Sequence, residues 1–171
     1  MKNDVSKAVL EEFFVFNPEN GQFRWLNSSG RMASGQRAGS LRKDGYRVLR
    51  FPHEGRRFYL MEHRAAWIMA HGSIPPDQEI DHINRERSDN RLANLRLAAR
   101  CDNTRNRRPI RGAQFKGVHF EKGATGRKKW RAYISVLGKR THIGRFETQD
   151  EALEAYKRKA LELHGDFAAW S

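Results

Sequence analysis

The chain has 171 residues, enough for one domain of ordinary size or for two small ones with modest cores. A formal net charge of +13 and an isoelectric point near 10.5 indicate a polyanionic partner, because a basic surface releases counterions from a phosphate backbone when it binds. No apolar run is long enough to span a membrane or to form a signal peptide, and the single cysteine, Cys101, excludes an internal disulfide. We therefore expect a nucleic-acid-binding protein of the cytoplasm or nucleoid, which would be that of a bacterial host cell if the protein is phage-encoded.

Apolar spacing and turn residues divide the first hundred residues into short elements. The elements predicted in chain order are a helix at 4–14 capped by Asp4, a strand at 22–26, a hairpin of strands at 46–51 and 57–61, a helix at 62–71, strands at 80–84 and 92–98, and a short helix at 99–106. Gly72 and the two prolines that follow it end the second helix. The final strand, loop, strand and helix bring residues that are distant in sequence around one point.

An acid, a histidine and regularly spaced amides lie at that point. Hydrolysis of a phosphodiester suits these residue types, because Mg²⁺ or Mn²⁺ prefers oxygen ligands and needs few of them from the protein. We predict one divalent ion on the Asp81 carboxylate and the Asn103 amide oxygen, with His82 as general base. Asn94 is predicted to orient the imidazole through a hydrogen bond. Adjacent residues of a regular strand point to opposite faces, so the strand must end or twist at Asp81 and His82. The alternative interpretation of these residues is a polar turn that caps a helix.

These residues resemble the HNH nuclease motif in the variant whose last histidine is asparagine. The resemblance covers roughly residues 10–106 and is carried by His63-Arg64-Ala65-Ala66-Trp67, Ile80-Asp81-His82-Ile83-Asn84, Asp89-Asn90-Arg91, Asn94-Leu95-Arg96 and Asn103. They are similar to the phage-type HNH homing endonucleases. The resemblance implies a ββα-metal fold, a divalent ion on Asp81 and Asn103, His82 as base and Asn94 as the residue that positions it. Because the cysteine pairs of some relatives are missing, no structural zinc is expected.

A basic run separates this region from a second one. Residues 104–114 predict a linker, and period-two alternation beyond them predicts three antiparallel strands covered by a helix that opens with a capping box at Thr148 and Glu151. The residues predicted to face the core are Val118, Phe120, Trp130, Ala132, Ile134, Thr141 and Ile143. Residues 100–145 are rich in arginine and lysine and have only Asp102 and Glu121 as acids, which favours DNA contact over a solvated surface. The predicted DNA contacts are Arg105, Arg107, Arg108, Arg111, Lys116, His119, Arg131, Tyr133, Arg140 and His142.

The second region resembles an AP2/ERF DNA-binding domain over about residues 114–168. The matching segments are Phe115-Lys116-Gly117-Val118, Lys129-Trp130-Arg131-Ala132, Thr141-His142-Ile143-Gly144-Arg145-Phe146 and His164-Gly165-Asp166-Phe167-Ala168. The resemblance implies that the sheet enters the major groove, in agreement with the free face that strand parity predicts. Lys116 reaches DNA only if the first strand begins after it.

Together these patterns predict an α+β chain. Its parts are a nuclease region at 1–103 with a ββα-metal core, a linker at 104–114, and a domain at 115–171 in which a three-stranded antiparallel sheet packs on one helix. We predict a site-selective DNA endonuclease of the homing type that binds double-stranded DNA, takes no small-molecule substrate and nicks as a monomer. Two alternatives stay open: a DNA-binding regulator with an inert nuclease half, and an HNH nuclease with little site preference.

Overall fold

The computed structural model describes residues 5–28, 33–100, 115–136 and 139–170. The chain divides into two compact units, Met1–Arg100 and Cys101–Ser171. The first contains α1 (Lys7–Phe13), β1 (Phe14–Asn17), β2 (Gln22–Trp25), β3 (Ser40–Leu41), β4 (Arg47–His53), β5 (Arg56–Met61), α2 (Glu62–His71), β6 (Gln78–His82) and β7 (Leu95–Ala99). The second contains β8 (Val118–Phe120), β9 (Trp130–Val136), β10 (Lys139–Phe146) and α3 (Gln149–His164). No helix in the described ranges is long and apolar enough to cross a membrane.

An aromatic core holds the first unit together. Phe14 lies edge-on to Phe23 and to Phe51, with ring centroids 6.0 and 5.4 Å apart, and all three rings are buried. Phe14 comes from β1, which pairs antiparallel with β2, and Phe51 comes from the middle strand of the sheet β3-β4-β5. Burial of such rings is the main stabilising contribution available to a small unit.

The first helix differs from its prediction at both ends. Ser6 is the N-cap and its hydroxyl accepts from the Val9 amide, whereas Asp4 lies outside the described residues. The helix ends at Phe13 because Phe14 begins β1 and pairs with Trp25. Tertiary pairing overrides a helical apolar spacing at this point.

The helix α2 carries the chain from the β4–β5 hairpin toward β6. It begins at Glu62 and ends before Gly72, which adopts a φ of +86° and donates its amide to the Ile68 carbonyl. Its buried side chains are Glu62, His63, Ala65, Ala66 and Ile68, so one face of the helix packs inward. Glu62 and His63 are unusual members of that face, and they lie at its first turn.

The second unit has the predicted three-stranded sheet, in the order β10-β9-β8, with α3 packed on one face. The predicted N-cap is confirmed, since Thr148 Oγ1 accepts from the Glu151 amide. The reciprocal bond of a capping box is displaced by one residue, because the Glu151 carboxylate accepts from the Glu147 amide instead of the Thr148 amide. Ala132, Ile134 and Val118 are buried against Tyr156 and its neighbours on the helix. The predicted linker at 104–114 lies outside the described residues, so the predicted domain boundaries stay a prediction.

Two residues that strict alternation assigns to the core are exposed, although their register partners, Trp130 and Ile134, place both on the core side of the sheet. Phe120 is 49 % exposed at the end of β8, where its ring lies edge-on to Trp130 at 5.1 Å, and Thr141 is exposed on β10. A β-bulge follows Thr141: His142 pairs with Tyr133, but the next pair is Gly144 with Ala132. The extra residue reverses the alternation, as a bulge does, and turns Phe146 to the core face opposite Trp130.

Candidate active site

The β6–β7 hairpin positions the predicted acid and base. Asp81 pairs with Arg96 and His82 with Leu95 in the antiparallel register, and both Asp81 and His82 are 5 % exposed. The predicted end of the strand is found, because β6 stops at His82 and the next amide, of Ile83, donates to the Asn94 carbonyl. The two side chains have different partners, as expected for adjacent strand residues.

Asp81 interacts with its cross-strand neighbour Arg96. The Arg96 Nε donates to Asp81 Oδ2 at 2.9 Å, and Nη2 lies 2.9 Å from the same oxygen as an ion-pair contact. A buried carboxylate is a hard oxygen donor of the kind that Mg²⁺ and Mn²⁺ prefer, and the guanidinium offsets its charge. The predicted second ligand, Asn103, lies outside the described residues, and within the described ranges no three His, Cys, Asp or Glu side chains form a metal cluster. The donor that is present fits a hard divalent ion with one protein carboxylate.

His82 is held by a chain of buried polar side chains. Its Nε2 lies 3.1 Å from Oδ1 of Asn90, and Nδ2 of Asn90 donates to Oε2 of Glu62 at 3.1 Å. Glu62 is fully buried and receives Nε of Arg47 at 3.0 Å on Oε1 and 3.1 Å on Oε2. Arg47 also donates to the Gly39 carbonyl at 3.1 Å. The imidazole is therefore connected through one amide to an ion pair that the β4 strand and α2 supply.

The predicted bond from Asn94 to the His82 ring is replaced by a different arrangement. Among the described residues, the Asn94 amide bonds Asn84, accepting from its backbone N–H at 3.0 Å and donating to its Oδ1 at 3.0 Å, and also donates to the Asp89 carbonyl at 2.9 Å. These bonds close the loop between β6 and β7. Asn94 therefore fixes the loop that carries Asn90, and it is Asn90 that bonds the ring. The catalytic importance of Asn94 stays a prediction.

Burial keeps two neighbouring imidazoles neutral. Desolvation lowers the pKa of His82, while its bond to Asn90 and the charges of Asp81 and Asp89 oppose the shift. Desolvation, together with His82 and Arg64, lowers the pKa of His63 to about 3. The two rings are edge-on, with centroids 5.1 Å apart. A neutral His82 is able to accept a proton at neutral pH.

An arginine and a tyrosine cover the His82 side of the site. The Tyr46 ring lies 5.2 Å from the His63 ring and 6.0 Å from the His82 ring. The Arg87 guanidinium stacks over Tyr46 at 4.9 Å and donates to the Asp44 carbonyl at 2.9 Å. This places a cation at the border of the site and connects the β6–β7 loop to the turn before β4.

The face of the second unit's sheet that α3 leaves uncovered, here called the outer sheet face, carries five of the ten predicted DNA contacts: His119, Arg131, Tyr133, Arg140 and His142. The Tyr133 ring lies between Arg140, at 4.2 Å, and Arg131, at 5.3 Å, and the His142 ring is 5.0 Å away. His119 is exposed opposite Arg131 in the register. Because β8 begins at Val118, the condition set for Lys116 is met. The linker arginines Arg105, Arg107, Arg108 and Arg111 lie outside the described residues.

Sequence reasoning missed Arg145 on the outer sheet face, and it missed Asn90 and Glu62 in the candidate active site. Arg145 shares the outer sheet face because of the bulge, and Glu121 contacts it at 2.9 Å and Arg131 at 2.8 Å. Asn90 lies within the segments that carry the family resemblance, but nothing in its spacing distinguishes it from Asn94. Glu62 gives no sequence signal, because an acid at the start of a helix is commonly solvated.

Comparison with known proteins agrees with this geometry. A family model described as HNH endonuclease matches residues 61–105. Protein 3.8 of Escherichia phage T7 is 33 % identical over 110 residues, covering 62 % of this chain and 86 % of that protein. An uncharacterized HNH endonuclease, L560, of Acanthamoeba polyphaga mimivirus is 30 % identical over 102 residues, covering 60 % of this chain and 51 % of the relative, so the chain spans about half its length.

A solved structure of the HNH homing endonuclease I-HmuI has a TM-score of 0.46 and 20 % identity, covering 55 % of this chain and 51 % of that one. None of these comparisons tests the AP2/ERF resemblance, which stays a prediction. The matched segment begins at the first turn of α2 and includes Asp81, His82 and Asn90. The predicted enzyme class is confirmed, and the chain belongs to the HNH endonuclease family, whose members hydrolyse DNA phosphodiester bonds.

Proposed function

We propose that this chain is a site-selective DNA endonuclease of the homing type that cuts one strand per encounter with a single divalent ion. The observation that carries the proposal is the pair at the end of β6: a buried carboxylate, Asp81, directly precedes a buried and neutral imidazole, His82, inside the segment that matches the HNH family. HNH nucleases generally use a divalent metal. The I-HmuI structure is described as showing DNA binding and cleavage, which we transfer to this chain as part of the proposal.

The roles follow from the side chains. Asp81, with Asn103, holds Mg²⁺ or Mn²⁺, which when bound stabilises the negative charge that develops on the phosphate and on the leaving oxygen. His82 takes a proton from the attacking water, because burial keeps its ring neutral at the pH of the cell. Arg96 holds the Asp81 carboxylate in place through its bond to Oδ2. Asn94 holds the loop between β6 and β7 in the conformation that carries Asn90 to the ring.

The second unit selects and holds the DNA in this proposal. Its outer sheet face carries arginines around one tyrosine, which is the residue chemistry that grips phosphates and reads guanine edges. An AP2/ERF-like mode, with the sheet in the major groove, fits this face. The linker arginines at 105–111 extend the same positive charge along the chain. One metal site per chain makes a nick the expected product of a monomer.

The decisive experiment incubates supercoiled plasmid carrying phage or host DNA with the purified protein in Mg²⁺ or Mn²⁺. We expect open circles to accumulate before linear molecules, at positions that repeat from one reaction to the next. His82→Ala is expected to lose cleavage and to keep DNA binding, whereas His71→Ala, at an exposed histidine of α2, is the matched control. Undiminished cutting by His82→Ala would contradict the role of His82, and a wild-type protein that binds DNA without cutting would identify the regulator alternative.

Selectivity is tested in the same reaction with the double variant Arg131→Ala/Arg140→Ala. We expect the preference for particular sites to weaken more than the cutting of random sequence, because these two side chains flank the centre of the proposed reading face. Arg158→Ala, at an exposed arginine on α3, changes the net charge by one without touching the sheet face. A double variant with unchanged site preference would favour the HNH nuclease without site selection.

A further inference from the structure

One acidic side chain, Glu121, lies among the arginines of the outer sheet face. It is the only acidic residue between positions 115 and 146 of the sequence. Nη1 of Arg131 donates to its Oε1 at 2.8 Å, and Nη2 of Arg145 lies 2.9 Å from its Oε2 as an ion-pair contact. Because Arg131 and Arg145 are register partners on neighbouring strands, one carboxylate holds two guanidiniums across the pair β9 and β10.

The main chain fixes Glu121 at the end of β8. Its amide donates to the Lys129 carbonyl at 2.9 Å, and its carbonyl accepts from the Ala124 amide at 3.2 Å. The first bond continues the pairing of β8 with β9, and the second closes the turn that follows. Glu121 has the same parity as His119, so its side chain lies on the outer sheet face and not on the core face.

Arg140 is an arginine of the same face with different surroundings. It is exposed and stacks over the Tyr133 ring at 4.2 Å, and within the described ranges no carboxylate pairs with it. Arg131 also contacts this ring, at 5.3 Å, but one of its nitrogens is bonded to Glu121. A phosphate can therefore approach Arg140 without meeting a negative charge, whereas at Arg131 it meets the Glu121 carboxylate.

We infer that Glu121 is a specificity-determining residue, which positions Arg131 and Arg145 toward base edges and opposes their use as phosphate contacts. This role rests on the proposed function, in which the outer sheet face binds DNA. A guanidinium has five N–H groups in one plane, so a bond to Glu121 fixes the plane and leaves other N–H groups for a base. DNA that offers only its backbone brings phosphates against the carboxylate, and like charges at an interface disfavour the wrong partner.

The test compares the affinities of the full-length protein for two duplexes of equal length, in EDTA so that neither is cut. One duplex is the sequence that wild type enriches from a randomised pool, and the other has mixed sequence. Glu121→Gln is nearly isosteric and removes the charge. We expect it to bind the mixed-sequence duplex more tightly and to lower the ratio of the two affinities by about 5- to 100-fold, the range for one base contact. The log–log salt slope for the mixed-sequence duplex should steepen by about 0.9 for each arginine that moves to a phosphate.

Glu154→Gln is the matched control. It removes a carboxylate that pairs with Lys157 at 2.6 Å on α3, so it makes the same change in net charge away from the outer sheet face. Its affinity ratio and salt slope should equal those of wild type. A structural role for Glu121 alone would lower both affinities of Glu121→Gln together, and that result overturns the inference, as does an unchanged ratio.

Arg145→Ala decides the matter if Glu121→Gln fails to fold. It should lower the affinity ratio and leave the salt slope for the mixed-sequence duplex unchanged, whereas a slope reduced by about 0.9 would make Arg145 a phosphate contact and overturn the inference.

The double variant Arg131→Ala/Arg140→Ala separates this inference from the proposed function. If it leaves both affinities unchanged, the outer sheet face does not bind DNA, and the proposed function of the second unit fails together with the role of Glu121. If it loses the preference that Glu121→Gln keeps, the role of Glu121 alone is overturned and the proposed function stands. A wild type that enriches no duplex from the pool overturns site selection and, with it, the role of Glu121.

Discussion

The buried imidazole of His63 makes the stability of the first unit depend on pH. Its pKa is lowered to about 3, chiefly by desolvation, and Nδ1 has no hydrogen-bond partner among the described residues. In the unfolded chain the same group titrates near its reference value of about 6.5. The unfolded state therefore binds more protons between these two values. The stability that a neutral His63 allows is fully present above pH 6.5 and is lost as the pH falls toward 3.

The magnitude follows from the size of the shift. Each pH unit inside the window costs about 1.4 kcal/mol, so a change from pH 7 to pH 5 removes about 2 kcal/mol of unfolding free energy through His63. The matched variant is His63→Phe, which keeps a ring against Tyr46 and His82 and cannot titrate. Urea unfolding, followed by the amide NMR signals of β4 and β5, measures this unit separately from the other.

For each protein, the measured quantity is the change in unfolding free energy between pH 7 and pH 5. A packing cost of the substitution that is the same at both pH values cancels in this change. We expect wild type to lose about 2 kcal/mol more than His63→Phe between pH 7 and pH 5. His82 also has a lowered pKa and contributes to the slope of both proteins. His71→Ala, at the exposed end of the same helix, should behave as wild type. Equal pH slopes in wild type and His63→Phe would refute the reasoning, because His63 would then be protonated in the folded protein.

Three further substitutions test other parts of the molecule. Gly117→Ala should lower the unfolding free energy of the second unit by about 2 kcal/mol or more in urea titrations. The reason is that φ is +66° and the new Cβ would overlap the Tyr133 carbonyl and the buried Tyr156 ring. Gly126→Ala is the control for backbone strain alone, because φ is +94° and no atom lies near the new Cβ. Asp81→Asn should abolish cleavage at every Mg²⁺ concentration and leave DNA binding measurable, whereas wild-type activity in the variant would exclude Asp81 as a ligand. Arg140→Ala should reduce the salt dependence of DNA affinity by about 0.9 in log–log slope if it contacts a phosphate, and Arg158→Ala should leave that slope as it is.

Sequence patterns predict the scaffold of the site better than its contacts. Turn residues and β-rich runs predict β4, β5 and α2. The strands predicted at 80–84 and 92–98 correspond to β6 and β7, which pair as a hairpin. Which of two nearby asparagines reaches His82 depends on the conformation of the loop. That loop contains Arg85 at φ +64° and a short 3₁₀ turn at Leu92–Asn94. Neither feature follows from residue type, since a left-handed arginine is rare.

On the outer sheet face, too, residue type alone does not predict which side chains lie together. Parity along a strand is reliable only while the pairing is regular, and the bulge between His142 and Gly144 breaks it. Alternation from Thr141 therefore misplaces Arg145 and Phe146. Gly144 gives a partial signal, because a Cβ at that position would crowd the Phe146 ring at 3.0 Å. A glycine inside a strand marks a bulge or a close approach, but it does not indicate where the extra residue lies.

The first turn of α2 gives a physical reason for the family match to begin before the acid and base of the site. Glu62 reaches His82 through Asn90, and His63 lies directly against the same ring, so adjacent residues of one turn act on the imidazole by two routes. The family model matches from residue 61, which includes this turn, whereas Arg47 lies outside the matched segment on β4. The family segment thus contains the base and the side chains that orient it, but the charge that keeps Glu62 an acceptor comes from the preceding hairpin. A transplant of residues 61–105 alone would carry Glu62 without its guanidinium, and the buried carboxylate would then favour its protonated form.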